Sequence, residues 1–228
     1  MVRNKFTIVL ISSRHLLNFC CIALLLLIGG CGLISKASVT YHNLDYPSPP
    51  VEYSDPSPDT LMVYKFLSDP SVDTHLLTIS DVKSNDSIVG QHRWQENPVD
   101  MITDLVLRDI ETSRLFEKAV DQWSSMRYRY ALEGTVRNLS GEIASKSAYA
   151  NVEAEVSFID FDAPKLGKKV IFKKSYRISE PSEAKTPGKI AEAMNRAVRK
   201  LSKNIRDDVS ASMKLMKSSP GPIPAAEK

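Results

Sequence analysis

Thiols, imidazoles, paired carboxylates and activated hydroxyls are the side chains that do chemistry, and this chain gathers few of them. His42, His75 and His92 show neither the HxxH nor the HExxH spacing that sets two imidazoles on one helix face for a metal. No glycine-rich phosphate loop precedes a helix, and no GxSxG elbow presents a serine. Asp160 and Asp162 fall together near a strand end, and Asp104 with Arg108 makes an i,i+4 pair; surface solvation and local pairing account for both. Asn138-Leu139-Ser140 matches the glycosylation sequon and reads as a turn before Gly141. Cys20 and Cys21 sit inside an apolar run, whereas Cys31 follows its end, behind Ile28, Gly29 and Gly30. Cys31 is the one residue whose setting specifies a reaction.

The elements around Cys31 support that reading. A basic stretch with Arg3, Lys5 and Arg14 and no acid leads into an apolar region from Leu16 to Ile28. A helix crossing hydrocarbon needs about 20 apolar residues, and this run is short of that before it meets two glycines, so it reads as a secretory signal. An aliphatic residue and two small residues before a cysteine resemble the bacterial lipobox. That motif implies a diacylglyceryl group on the Cys31 thiol, removal of residues 1–30, and N-acylation of the new terminus. Each buried methylene contributes about 0.8 kcal/mol to anchoring, and a single chain holds only marginally, so several chains are needed.

Signal removal also changes the charge. Of 30 Lys and Arg against 27 Asp and Glu, the removed segment takes Arg3, Lys5 and Arg14 and no acid, leaving 27 against 27. A neutral mature chain argues against nucleic acid as a partner. Once Cys31 is acylated, no thiol remains for a disulfide, a metal or a nucleophile, and no metal site is expected.

Residues 31–60 read as a lipidated terminus and proline-rich tether, with one candidate strand at Ser38–Tyr46; Pro47, Pro49, Pro50, Pro56 and Pro58 exclude a central strand. Proline-rich backbone spans about 3.1 Å per residue, so such a segment could lift a domain tens of ångströms off a bilayer. Residues 217–228 read as a disordered tail, which leaves 61–216 as the globular domain. Within it, 61–67 and 75–82 suit buried strands. Asn97 and Pro98 announce a helix, with Val99, Ile102, Val106 and Ile110 on one face and an end near Phe116. Three runs of period two follow as an antiparallel meander: Tyr128 to Val136, Val152 to Phe158 and Val170 to Tyr176. Thr186-Pro187 opens a last amphipathic helix with Ile190, Met194, Ala197, Leu201, Ile205 and Met213 in a stripe.

Two surface features have alternative readings. The basic side of the last helix, with Lys200, Lys203 and Arg206, either meets anionic headgroups or an acidic partner, or is a solvated face diluted by Glu192, Asp207 and Asp208. Trp94, beside Arg93, is either an exposed partner contact or a hydrophobic plug at the helix start.

Several local strings, in order behind the lipobox, carry a resemblance. Arg93-Trp94-Gln95-Glu96-Asn97-Pro98-Val99 is similar to the segment that opens the first helix of the ABC-type transport auxiliary lipoprotein family, which includes the paraquat-inducible protein C lipoproteins. Arg129 to Gly134 resembles that family's first meander strand, Leu166 to Val170 its hairpin turn, and Ala193 to Ala197 its last helix. The resemblance implies a three-layer α/β/α domain with a mixed, largely antiparallel sheet, like the anticodon-binding and TolB N-terminal folds. It also implies an auxiliary role beside ABC transporters whose mammalian-cell-entry (MCE) proteins carry phospholipids or other lipids between the membranes of Gram-negative envelopes. Such a lipoprotein docks or receives the MCE component, and Gly32 after the lipid site favours outer-membrane sorting with the domain in the periplasm.

Partners expected on this reading are an MCE-domain protein, the outer membrane through the lipid, and optionally a second copy of the chain. The expected cofactor list is empty apart from the covalent acyl and S-diacylglycerol groups on Cys31. An outer-membrane lipoprotein activator of a peptidoglycan synthase stays open as a second class. A lipid-anchored enzyme is the third, and no residues in the sequence support it.

Overall fold

The computed structural model describes residues 38–70, 72, 74–82, 86–87, 91–163 and 167–218; all elements below belong to the compact unit Val39–Lys228. The expectations for the signal segment, for Cys31 and for residues 219–228 lie outside the described residues.

The sheet is organised by one long strand. Strand β8 (Tyr130–Ile143) pairs antiparallel with β9 (Ala148–Asp160), which pairs antiparallel with β10 (Lys169–Pro181). The other edge of β8 takes three short strands in succession, all parallel to it: β2 (Ser57–Val63), β3 (Leu67–Ser68) and β4 (Ile79–Asp81). A short β5 (Asp86–Ser87) pairs with β4, and β7 (Phe116–Asp121) runs parallel to β2 at the sheet's far edge. Separately, β1 (Thr40–His42) and β6 (His92–Trp94) form a parallel pair. That pair is closed by a hydrogen bond between His42 Nε2 and His92 Nδ1 at 2.9 Å.

Alternation decides which face is buried. Opposed pairs Leu132 with Phe158, Val136 with Ala154 and Leu139 with Val152 face the core, with a bulge between Val136 and Asn138 that keeps the later residues in phase. The opposite face carries Glu153, Glu155, Lys173 and Arg177. It is crossed by ion pairs from Arg177 to Glu153 at 2.9 Å and from Lys173 to Glu155 at 2.9 Å. The expected α/β class and mixed, largely antiparallel sheet are both present. The two helices lie against each other and against the apolar side, so among the described residues they supply one helical layer, and charged side chains face outward on the other side.

Helix α1 (Pro98–Ser113) starts where its cap requires: Asn97 is extended and its Oδ1 accepts from the Val99 N–H at 2.9 Å. It ends at Arg114 in the left-handed region (φ 59°, ψ 38°), two residues short of Phe116. Leu115 and Phe116 continue the apolar spacing, which hides the boundary in the sequence; Phe116 begins β7, an edge strand absent from the sequence expectations. Helix α2 (Pro187–Ser218) runs past the expected start of the tail at Lys217. Its Ile190, Met194, Ala197, Leu201 and Ile205 are fully buried.

Two sequence expectations are corrected. Asn138-Leu139-Ser140 lies inside β8 rather than in a turn. Residues 39–60, expected as tether, are largely part of the fold: Leu44 and Tyr46 are core residues, and β2 starts at Ser57. The backbone of this stretch is bound by protein, with Glu52 and Tyr53 N–H donating to the Ser113 carbonyl at 3.1 Å each and Ser57 N–H to that of Leu115 at 3.0 Å. These bonds also satisfy carbonyls left open at the end of α1.

Gly141 lets Ile190 of α2 pack directly against β8. A Cβ there would lie 2.5 Å from Ile190 Cγ2 and 3.0 Å from Ile79 Cγ1. We expect Gly141→Ala to cost about 1–3 kcal/mol, as overpacking does. Urea unfolding checks this, and a midpoint equal to the parent's would contradict the packing described.

Candidate functional site

The site is assembled around a carboxylate that the fold takes out of water. Asp109, 1% exposed, sits on the side of α1 that faces α2. Tyr46 Oη donates to its Oδ2 at 2.9 Å, and Ser202 Oγ of α2 donates to the same oxygen at 2.7 Å. Arg108 donates to Oδ1 from Nε at 3.2 Å and from Nη2 at 2.9 Å, and its guanidinium lies 4.8 Å from the centre of the Tyr46 ring. Burial pushes the Tyr46 phenol far above its ordinary range, and the Asp109 charge adds to this, so Tyr46 stays a donor. Removing the carboxylate leaves Tyr46 and Ser202 buried without an acceptor. Asp109→Ala is expected to lose about 2–4 kcal/mol of stability; a thermal midpoint unchanged from the parent's would show that the network carries no energy.

This network pins the Tyr46–Glu52 segment beside α2 and leaves a groove of about 360 Å³ between them. One wall is Tyr46, Pro47, Pro49 and Pro50. The other is a ridge of α2 with Arg196, Arg199, Lys200, Lys203 and Arg206, at steps of three and four that align on one helix face. Arg206 is 3% exposed and donates to Glu52 Oε2 at 2.5 Å, while its buried Nε has no partner. Lys200 pairs with the buried Glu180, Lys203 with Asp207 at 2.7 Å, and Arg196 Nη2 donates to the Pro181 carbonyl at 2.7 Å. Arg199 has no bonded partner among the described residues. Such a groove has hydrogen-bond donors and positive charge on one side and, on the other, a largely apolar wall whose prolines carry no N–H.

Comparison with known families places the chain. Residues 45–206 match the family described as the ABC-type transport auxiliary lipoprotein component. The chain belongs to that family. No curated protein matches its sequence. Among solved structures, the domain is similar to a Xanthomonas campestris protein of the DUF330 family at 16% identity, covering 79% of this chain and 100% of that one, with a TM-score of 0.67. It is also similar to an uncharacterized protein at 10% identity, covering 75% and 99%, with a TM-score of 0.57. A hypothetical protein from Chlamydia trachomatis aligns at 8% identity, 68% and 99% coverage and a TM-score of 0.50. At such low identities these superpositions show a shared fold alone. The family's description as an auxiliary component implies a non-catalytic role, and among the described residues no helix is long and apolar enough to cross a membrane.

Within this family member, the residues singled out from sequence are scattered. Cys31 lies outside the described residues. Arg93 is exposed on β6, whereas Trp94 is 1% exposed, which is not the exposed partner contact that one alternative requires. Its backbone N–H donates to the His75 carbonyl at 2.7 Å, and its ring meets His42 edge-on at 6.5 Å. The exposed tryptophan is Trp123, at 83%. Lys200, Lys203 and Arg206 do share the ridge, but Arg206 is buried and all three are ion-paired, so the solvated-face reading fails for Arg206.

Of the carboxylates, Asp160 is held by Arg129 through two bonds of 3.1 Å, a structural pair. Arg108 turns to Asp109 and Asp45, so the expected partnership with Asp104 is not the one formed. Burial, with Asp100 and other acids nearby, raises the Asp104 carboxyl. Tyr46, Glu52, Asp109 and Ser202 were not singled out from sequence; the only local sign was an aromatic residue at the mouth of a proline run.

Truncating a fully buried indole removes both apolar burial and packing. Trp94→Ala is expected to lower stability by about 3–5 kcal/mol, measured by chemical unfolding. Intact stability together with lost partner association would restore the contact reading.

Proposed function

We propose that this chain is an outer-membrane-anchored auxiliary lipoprotein of an MCE-type ABC transport system, held by acyl groups on Cys31. In the periplasm its domain docks or receives the MCE component that carries phospholipid between the membranes. The observation that carries the proposal is the family match over residues 45–206 behind the Ile28-Gly29-Gly30-Cys31 motif. Gly32 in place of an aspartate favours outer-membrane sorting. The domain's neutral balance and the absence of recognisable catalytic motifs fit a docking component.

Two measurements test this. Cys31→Ser is expected to abolish palmitate labelling and to release the domain from the outer-membrane fraction. Capture of the tagged full-length protein from solubilised envelopes is expected to bring down an MCE-domain protein and an ABC ATPase. Retention of label in Cys31→Ser overturns the anchor, and capture of a peptidoglycan synthase without the transporter overturns the transport role.

A further inference from the structure

We propose that the groove between the Tyr46–Pro50 segment and α2 binds a phosphate group carried on an apolar stem, with Arg196 and Arg199 holding the phosphate. The charge arrangement selects an anion. Five cations line the groove against three carboxylates, Glu52, Asp109 and Glu180. Each of those carboxylates already has a cation: Arg206 at 2.5 Å on Glu52, Arg108 at 2.9 Å on Asp109, and Lys200 on Glu180. What remains is the Arg199 guanidinium, without a bonded partner among the described residues, and most of that of Arg196, which spends one nitrogen on the Pro181 carbonyl. About two turns further along α2 is the buried Arg206, whose Nε also lacks a partner.

Two guanidiniums three residues apart on a helix are neighbours, and each presents planar donors that match phosphate oxygens in pairs. The opposite wall suits an apolar stem. Prolines supply no N–H, and the Tyr46 hydroxyl is already committed to Asp109, so this wall offers apolar surface to whatever the phosphate is attached to. About 360 Å³ lies within the range of small-ligand sites and gives room for a headgroup with part of its glycerol. Naming the amphiphile a glycerophospholipid rests on the transport reading above; the groove's chemistry stands without it.

The test uses the full-length acylated protein in a neutral detergent. Native mass spectrometry reads occupancy with dioleoylphosphatidylglycerol, dioleoylglycerol, inorganic phosphate and a polyglutamate peptide. The parent is expected to retain phosphatidylglycerol, with the diacylglycerol and phosphate arms far weaker. Arg199→Gln should lower occupancy about tenfold, the size of one charge-assisted contact, with unchanged thermal unfolding because this exposed side chain has no bonded partner to lose. Arg199→Lys should restore part of it.

Equal phosphatidylglycerol occupancy in parent and Arg199→Gln overturns the proposal. So does inorganic phosphate binding as well as the lipid, or Arg199-dependent binding of polyglutamate without lipid. Capture of the transporter by a parent that holds no lipid overturns the groove alone. An Arg199-dependent lipid adduct in a protein that captures no transporter supports the groove and overturns only the transport reading.

Discussion

A carboxylate removed from water has to be compensated on both oxygens, and Asp109 sets this requirement for the domain. An isolated buried charge is far too costly to keep. The compensating donors come from three places far apart in sequence: Tyr46 ahead of the sheet, Arg108 beside it on α1, and Ser202 on α2. Satisfying one side chain therefore fixes the spacing of the two helices and lays the proline segment over them. The second clasp, Arg206 on Glu52, closes the same seam further along α2. The groove is the space left between these two clasps, and its shape depends on both.

The sheet beneath reflects a division of labour between its faces. The long strands β8, β9 and β10 alternate apolar and polar residues, so one side receives both helices and the other is laced with charges. Close packing of α2 needs small residues under it. Ala150, Ala154 and Gly141 occupy those positions, and Gly134 accommodates the Phe66 ring in the same way. The polar side meets water and resists association with another sheet.

Much of this was legible because local chemistry and tertiary need agree. Asn97-Pro98 caps and opens α1, Thr186-Pro187 opens α2, and the period-two runs appear as the meander, since each of those signals acts within a few residues. The failures share a cause in distance. Prolines in 47–58 correctly exclude a central strand, but nothing nearby reveals that Tyr46 will reach Asp109, so the segment reads as a tether. Arg206 reads as one more base on a solvated face until Glu52 is placed opposite it. Trp94 and Trp123 are indistinguishable by type; pairing of β6 with β1 buries the first, and a loop exposes the second. Strand β7, with only Phe116 and Ala119 buried, has too few inward positions to print a period.

Strand β8 also has a consequence for how such a domain tolerates change. It behaves as a rail on which β2, β3 and β4 hang as separate short hangers, joined by irregular segments rather than by tight hairpins. Lengthening or shortening those joins leaves the rail, its antiparallel partners and the helices over them where they are, because connecting loops at a surface absorb insertions at little energetic cost. Between Tyr64 and Thr78 the buried Phe66, Val72 and Leu77 have to keep their places, so it is the exposed positions among them that are free to be re-cut to suit a different neighbour, while the clasped side of the molecule keeps its geometry.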